Sequence, residues 1–322
     1  MTVNEVVARH PYALTAPEFH RLANVPPEAR WFANLDNAQT RRAYQNDLRA
    51  FMAFVGITAP EEFRVVTRAH ILTWRADLER QKLAGSTIRR KLAALASLYE
   101  YLCETNAVTH NPVKGVKRPK VDSYEGKTPA LGDAQVRKLL DAPRADTVKG
   151  MRDRAILSVL LYHALRREEL TKLLVKDFKQ MRRGVPHMRV QGKGSKLRYI
   201  PTHANTMRLV TEYLSAAGHD EDMEGPLFRP MINQLAGHTV TALTPGGVYS
   251  AVVVPYMKQV GITGDNMGPH ALRATAATSA LEHNADIAKV QEWLGHASIS
   301  TTRVYDRRSS KPEDSPTFRV SY

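Results

Sequence analysis

Apolar residues recur at intervals of three and four in the first third of the chain, which is the spacing of one face of an α-helix. The first such run extends from Tyr44 to Val55. Asp36 or Asn37 suits the N-cap of this helix, and Gly56 suits its C-terminal end. The pattern therefore predicts a helix between these caps.

Two more helices are predicted in the same third of the chain. Arg68–Leu83 has apolar residues at helical spacing, and the run at 88–102 has a wide apolar face. Ser86 is predicted to be the N-cap of the third helix. Together the three runs indicate a small all-helical domain over residues 36–110. Residues 1–35 contain four prolines and are predicted to be irregular.

The pattern changes at residues 111–127, which have little apolar content. This stretch contains two prolines, two glycines and five basic residues against two acidic ones. It is predicted to be a basic interdomain linker. Such a composition suits a segment that lies along a phosphate backbone, where each neutralised phosphate releases counterions; a solvated tether is the alternative.

Seven basic residues are candidates for contacts with such a backbone. Four belong to the predicted linker and three to the third predicted helix, for which an ordinary solvated face is the alternative. They are Lys114, Lys117, Arg118 and Lys120 in the linker, and Arg89, Arg90 and Lys91 in the helix.

Beyond residue 128 the pattern is again mostly helical, with one exception. Met188–Val190 and Leu197–Ile200 are short strand-like runs, separated by glycines and polar residues, which indicates a β-hairpin. We therefore expect a mainly α fold with a small β-sheet. In it, an α+β domain covers residues 128–305 and a tail covers residues 306–322.

Composition narrows the class of partner. The 322 residues are enough for two domains, and a net charge of +14 points to a polyanion: nucleic acid, an anionic membrane or an acidic protein. The apolar runs are far below the roughly 18 residues needed to span a bilayer, and Met1–Leu14 lacks the pattern of a signal peptide. We therefore expect a cytoplasmic protein with no membrane partner, and charge alone does not choose between nucleic acid and an acidic protein.

Cysteine and histidine usage adds no metal or disulfide chemistry. The single cysteine, Cys103, excludes an internal disulfide framework and lies among apolar residues at helical spacing, so we expect a buried thiol. The twelve histidines show no short-spaced ligand pair with it or with one another. We expect no metal site and no cofactor.

Polar residues stand in four places where the pattern predicts a core helix or a turn. They are Arg166 after the predicted core helix Ala155–Leu165, Lys193 in the hairpin turn, His270 and Arg273 before a helix of small residues, and His296 and Tyr305 in the last segment. Glu169 stands one helical turn after Arg166, and Lys196 shares the turn of Lys193.

In this order, these segments resemble those of the tyrosine recombinase (integrase) family, which includes the Xer recombinases, Cre and lambda integrase. The resemblance covers most of the chain, and several boxes in the correct order are far more specific than one tetrapeptide. In the second domain the boxes are Ala164-Leu-Arg166-(x)2-Glu169-Leu170, Gly192-Lys-Gly-Ser-Lys-(x)-Arg198-(x)2-Pro201, His270-(x)2-Arg273, Leu294-Gly-His296, Ser300-Thr-Thr302 and Tyr305. In the first they are Thr40-(x)3-Tyr44-(x)2-Asp47-Leu48-(x)2-Phe51 and Ser86-Thr-Ile-Arg-Arg-Lys-Leu-Ala-Ala-Leu95.

The resemblance implies a helical core-DNA-binding (SAM-like) domain before an α+β recombinase catalytic domain. It also implies cleavage of DNA through a 3′-phosphotyrosine intermediate, which a 5′-hydroxyl of a partner strand resolves, with no cofactor. The chain departs from the family at Ala164, where a glycine is usual, and we expect a modest backbone change to absorb the difference.

The chemistry of the residues agrees with that reaction. Breaking a phosphodiester without a metal needs a nucleophile, an acid for the leaving alkoxide, and cations that hold the charge of a pentacoordinate phosphorane. Tyr305 suits the nucleophile. A phenol ordinarily has a pKa of about 10, so nearby cations have to favour its anion. Arg166 and Arg273 suit this role and also bind phosphate oxygens in bidentate fashion.

The remaining polar residues suit supporting roles. Lys193 suits the general acid for the 5′ oxygen, with Lys196 as the alternative. His270 suits a base towards the tyrosine or a donor to the phosphate. His296 suits a donor to a non-bridging oxygen. Glu169 suits a residue that orients a guanidinium, with Glu168 as the exposed alternative.

The resemblance further implies the partners: double-stranded DNA with paired recombination sites, and a homotetramer formed as a dimer on each site. It thereby implies a nucleoid-associated protein. The tail, with alternating Phe318, Val320 and Tyr322, is predicted to dock on a neighbouring subunit. Accessory proteins, the DNA site and the host element (phage, transposon, integrative element or chromosome) stay open. The rival functions are relaxation of supercoils by type IB topoisomerase chemistry, and DNA binding without catalysis.

Overall fold

The computed structural model describes residues 27–120, 128–192, 196–231, 239–264 and 267–306, together with Thr317 and Val320. The chain divides into two compact units, Met1–Asp122 and Ser123–Tyr322, and each has its own hydrophobic core. Both are mostly helical, and the second holds a small antiparallel sheet, which confirms the expected fold class.

The first unit is built from helices whose ends follow local rules. Asn37 caps the longest early helix, because its side chain accepts hydrogen bonds from two backbone amides, and Gly56 ends that helix with a φ of +82°. The helices are α1 (Pro27–Ala33), α2 (Ala38–Val55), a 3₁₀ helix (Pro60–Val65), α3 (Arg68–Arg80) and α4 (Gly85–Glu104). Phe51, Trp74 and Leu95 are among the residues of their common core.

Two local expectations for this unit are wrong. Residues 27–33 are helical although residues 1–35 were expected to be irregular, because a proline is tolerated in the first turn of a helix, where its missing N–H would have no partner. Trp31 of this helix is buried in the core. Ser86 does not cap α4, which begins one residue earlier and has Ala84 at the cap position without a side-chain hydrogen bond.

The first part of the expected linker packs against the first unit. Val113 and Val116 are buried in its core. Three arginines of α3 and α4 donate hydrogen bonds to backbone carbonyls of this stretch: Arg68 to Lys114, Arg75 to Lys117 at 3.0 Å, and Arg89 to Pro119 at 3.5 Å. The side chains of Lys114, Lys117, Arg118 and Lys120 are left exposed. Residues 121–127 lie outside the described residues.

The second unit is organised around one buried helix, Val148–His163, which packs against helices on two sides. Its elements are α5 (Asp133–Asp141), α6 (Val148–His163), α7 (Arg167–Thr171), α8 (Val175–Phe178), β1 (Gln180–Arg182), β2 (Val185–Gln191), β3 (Leu197–Pro201), α9 (Ala204–Ala217), α10 (Pro245–Gly247), a π-helical turn (Val248–Val253), α11 (Val254–Gln259), α12 (Pro269–Glu282), α13 (Ile287–Leu294) and α14 (Ile299–Arg303).

The predicted hairpin is present and is longer than expected. Strands β2 and β3 pair in antiparallel register, with Met188 opposite Ile200 and Val190 opposite Arg198. A third strand, β1, pairs with β2 and was not predicted, because its three residues are too few to show an alternating pattern. Strand β3 brings Arg198 to the side of the sheet that faces α7.

The described parts of the chain contain neither a candidate membrane span nor a candidate metal site. No helix there is both long and apolar enough to cross a membrane. No group of three metal-ligating side chains occurs among those residues.

Candidate active site

The site begins where α6 ends. Ala164 adopts the left-handed conformation (φ +51°, ψ +31°), which stops the helix and turns the chain. Arg166 then stands at the N-cap of α7 instead of continuing along α6. The carbonyl of Ala164 accepts a hydrogen bond from the guanidinium of Arg273. The turn therefore places one predicted catalytic arginine and anchors the other.

Arg273 lies in the first half of α12 and is 2% exposed. It also donates to the carbonyl of Leu294 at 2.6 Å, at the end of α13. Burial, followed by the charge of Arg166, moves the pKa of Arg273 below its ordinary value. Two backbone carbonyls thus hold a buried guanidinium that forms no ion pair with a carboxylate of the described residues.

Arg166 is paired with a buried carboxylate. Its guanidinium donates to Glu169 at 2.7 Å, and its backbone N–H donates to the other carboxylate oxygen at 2.9 Å. Arg198 donates to the same carboxylate at 3.1 and 2.7 Å. Burial raises the pKa of Glu169, but the hydrogen bonds and charge of Arg198 and the bonds from Arg166 outweigh it and hold the pKa below its ordinary value.

His296 and Tyr305 lie beside Arg273. The Nε2 atom of His296 is 3.1 Å from a terminal nitrogen of Arg273, and its Nδ1 atom is 3.0 Å from the hydroxyl of Thr302. The rings of His296 and Tyr305 are stacked with centroids 6.0 Å apart. Burial and then the charges of the nearby arginines lower the pKa of His296 to about 4.

Tyr305 is held mainly through its backbone. Its N–H donates to the carbonyl of Thr302 at 3.0 Å, and its carbonyl accepts from the hydroxyl of Thr278 at 3.2 Å. The residue is 5% exposed and packs in a cluster of small residues from α12 that includes Ala274 and Ala277. Small side chains on α12 leave the space that the tyrosine ring occupies.

His270 faces a pocket of about 710 Å³ next to this cluster. The pocket is also lined by Arg166, Arg273 and Tyr249. His270 is largely exposed, but partial burial of its ring, together with the charges of Arg273 and Arg166, lowers its pKa. The pocket thus offers two guanidinium groups and a neutral imidazole to an anionic ligand.

The structure brings five of the six predicted catalytic residues into one region. They are Arg166, His270, Arg273, His296 and Tyr305. Lys193 lies outside the described residues. Lys196 is exposed at the base of the turn, where its carbonyl accepts from the N–H of Gly192 at 2.7 Å.

The predicted DNA contacts on α4 are partly occupied within their own unit. Arg90 forms an ion pair with the buried carboxylate of Asp47, and Lys91 lies 3.3 Å from the same group. Arg89 is bonded to the carbonyl of Pro119. These three cations therefore already have partners inside the protein.

Sequence reasoning assigned no role to two residues that complete the cluster. Arg198 and Thr302 stand within boxes that carry the family resemblance, yet their contacts are not visible in the sequence.

Comparisons with known proteins agree with this fold. The profile of the phage integrase family matches residues 130–311, and that of the phage integrase N-terminal SAM-like domain matches residues 35–106. A tyrosine recombinase XerC of Herpetosiphon aurantiacus is 33% identical over 272 residues, covering 84% of this chain and 85% of that one. A tyrosine recombinase XerD of Listeria monocytogenes is 30% identical over 276 residues, covering 84% and 88%.

Solved structures show the same fold at lower identity. A lambda integrase dimer bound to a COC′ core site aligns with a TM-score of 0.65 at 16% identity, covering 88% of this chain and 95% of that chain. The XerH site-specific recombinase bound to its palindromic difH substrate aligns with a TM-score of 0.64 at 21% identity, covering 82% and 75%. The chain therefore belongs to the phage integrase family, and its enzyme class is that of the tyrosine-type site-specific recombinases.

Proposed function

We propose that this recombinase cleaves duplex DNA with Tyr305 as the nucleophile and rejoins it to a partner strand. The observation that carries the proposal is the placement of Tyr305 beside His296, which is itself in contact with Arg273. A packing tyrosine would not need a buried guanidinium and a neutral imidazole next to it. An attacking phenol does, since both the phenolate and the reacting phosphate are anions.

The reaction balances as a transesterification. The Tyr305 oxygen attacks the scissile phosphorus, the bond from phosphorus to the 5′ oxygen breaks, and a 3′-phosphotyrosyl ester forms. His270 accepts the phenolic proton, and Lys193, or Lys196 in its place, supplies a proton to the departing 5′ oxygen. A 5′-hydroxyl of a partner strand then attacks the phosphorus of this ester and gives its proton to the lysine, while the bond from phosphorus to the Tyr305 oxygen breaks and His270 returns the phenolic proton. The ester conserves the bond energy, so no nucleotide is consumed.

The two arginines bind the phosphate from differently constrained positions. Arg166 is partly exposed at the pocket and presents its guanidinium to the ligand, whereas Arg273 is held from behind by two carbonyls. Guanidinium groups bind two phosphate oxygens at once. Their fixed positions lower the barrier by stabilising the charge that develops on the phosphorane.

Assembly and substrate follow from the same proposal. The substrate is duplex DNA with paired sites, bound by a homotetramer with a dimer on each site, in the cytoplasm. The exposed basic side chains at 114–120 and the net charge of +14 support a DNA partner. The XerH and lambda integrase structures are of proteins bound to DNA. Integration, excision or resolution is then decided by the sites that the tetramer joins.

Covalent capture tests the nucleophile without knowledge of the site. Purified protein is incubated with a pool of nicked duplexes of randomised sequence, in which cleavage near the nick releases a short fragment and traps the ester. Adducts that survive denaturation are recovered, and their DNA is sequenced. The wild type should yield adducts with a shared sequence, and Tyr305→Phe should yield none. Tyr162→Phe, on the same unit but outside the cluster, is the matched control.

The same captured sequence separates the rival functions. Two plasmid copies of it should give recombinant products with the wild type. Relaxation of supercoils without recombinants would favour topoisomerase chemistry, which the relatives do not favour. Sequence-selective binding with no adduct from the wild type would refute the catalytic proposal.

A further inference from the structure

Arg198 lies at the junction of three segments of the candidate active site. It projects from β3, and its side chain is 16% exposed. Its guanidinium donates to both oxygens of Glu169, on α7. Within the described residues its hydrogen bonds go to Glu169, and it does not line the pocket beside His270, so any effect on the reaction has to pass through its neighbours.

Glycines in two of the family boxes leave room for this guanidinium. A Cβ atom on Gly192 would lie 3.2 Å from a terminal nitrogen of Arg198, and one on Gly295 would lie 3.3 Å from the same nitrogen. Gly192 begins the turn that carries Lys193, and Gly295 directly precedes His296. Any larger residue at either position would push on Arg198.

The carboxylate of Glu169 is shared between two guanidinium groups. It is 4% exposed and accepts four hydrogen bonds, two from Arg166 and two from Arg198. Without Arg198, this buried anion would have Arg166 as its only ionic partner among the described residues. A buried carboxylate binds such a partner strongly, because an unpaired charge in that position is costly.

We propose that Arg198 is a positioning residue that keeps Arg166 available to the scissile phosphate. By neutralising Glu169, it leaves the cluster of Arg166, Arg198, Arg273 and Glu169 with three positive charges against one negative charge. A phosphodiester carries one negative charge and its phosphorane transition state carries two. The net charge of the cluster is therefore equal and opposite to that of the transition state. Loss of Arg198 would remove half of the net charge of the cluster.

This inference rests on the proposed function, and its test uses the nicked duplex captured by the wild type. Single-turnover adduct formation is measured for Arg198→Met, which keeps the apolar stem and removes the charge. The rate should fall about 10- to 100-fold, while affinity for the duplex in a gel shift is unchanged. Arg198→Lys, which keeps the charge but loses the bidentate contact, should lie between the wild type and Arg198→Met.

A double-mutant cycle with Glu169→Gln distinguishes charge balance from packing. If Arg198 acts by neutralising Glu169, it contributes little to the rate once the carboxylate has been removed. In the Glu169→Gln background, Arg198→Met should therefore cost less than about threefold. If Arg198 only packs the hairpin, its cost will be the same in both backgrounds, and the proposal is overturned.

A second substrate tests independently whether the effect of Arg198 depends on the charge of the scissile phosphate. A methylphosphonate at the scissile position has a methyl group in place of one non-bridging oxygen and is neutral in the ground state, so the deficit of Arg198→Met should shrink on it. Arg198→Gln serves as the neutral variant if Arg198→Met does not fold, as judged by thermal melting. A neutral variant that reacts at the wild-type rate would refute the inference. A wild type without adduct would refute the proposed function instead.

Discussion

The Nε2 atom of His296 lies 3.1 Å from a terminal nitrogen of Arg273. An arginine only donates hydrogen bonds, so Nε2 accepts and the ring proton is assigned to Nδ1, which points at the hydroxyl of Thr302 3.0 Å away. A pKa near 4 agrees with this neutral ring. To donate to a phosphate from Nε2, His296 needs the other tautomer, and Thr302 can support it because a hydroxyl both donates and accepts.

Thr302→Val should slow adduct formation about tenfold, because it leaves the Nδ1 atom of His296 without its hydroxyl partner. Thr302 is fully buried, so the valine methyl replaces the hydroxyl without opening a cavity. Thr302→Ser keeps the hydroxyl and should retain most of the rate. The measurement is single-turnover cleavage of the nicked duplex. Equal rates for Val and Ser would show that the hydroxyl does not assist His296.

Ala164→Gly should change the free energy of unfolding by less than about 1 kcal/mol, because two effects oppose each other. The left-handed conformation costs an L-residue about 1–2 kcal/mol, and glycine relieves it. The lost methyl group, which is fully buried, and the greater freedom of unfolded glycine cost a similar amount. Ala277→Gly removes an equally buried methyl from α12 without that relief and should destabilise by about 2 kcal/mol. Urea denaturation measures both; equal losses would contradict strain at Ala164.

Lys193→Ala should slow cleavage of an ordinary phosphodiester by about 10²- to 10⁴-fold, which is the usual contribution of a general acid. A bridging sulfur in place of the 5′ oxygen leaves as a stable thiolate and needs no proton. The same variant should therefore cleave that substrate at nearly the wild-type rate. Lys196→Ala is the matched control from the same turn. If Lys196→Ala shows the deficit and the rescue, the acid is Lys196.

Lys117→Ala combined with Arg118→Ala should weaken binding equally for the captured site and for unrelated DNA. If each side chain neutralises one phosphate, the slope of log affinity against log salt should fall in magnitude by about 2. Binding isotherms at several salt concentrations give the slope. An unchanged slope would mean that these exposed side chains are merely solvated.

Acid should destabilise the second unit through His163. Burial, followed by the charge of His203, lowers the pKa of His163 to about 3. The folded pKa lies below the unfolded value of about 6.5. The contribution of neutral His163 to stability is therefore complete above a pH equal to that unfolded pKa, and it is lost as the pH falls towards 3. The loss is at most about 1.4 kcal/mol per pH unit. His163→Gln keeps an acceptor for the N–H of His203 and should flatten this dependence in urea titrations. An unchanged slope would contradict the assignment.

Helical periodicity and turn chemistry were readable from the sequence because they depend on neighbours a few residues apart. The cap at Asn37, the end at Gly56 and the hairpin strands of β2 and β3 follow the pattern. The same local rules misplace the start of α4 and miss β1, since one residue at a boundary or a three-residue strand changes the pattern very little. The order of the family motifs along the sequence indicated the family.

The sequence by itself determined which residue types are available for the reaction: a tyrosine, two arginines, two histidines and a turn with two lysines. Only the tertiary structure decided how their charges are paired and which tautomer the histidine adopts. Arg198 meets Glu169 across 29 residues of chain, and Arg273 meets His296 across 23. Charge pairing and tautomer depend on such contacts through space, because an ion's energy is set by the groups around it and not by its neighbours in the chain.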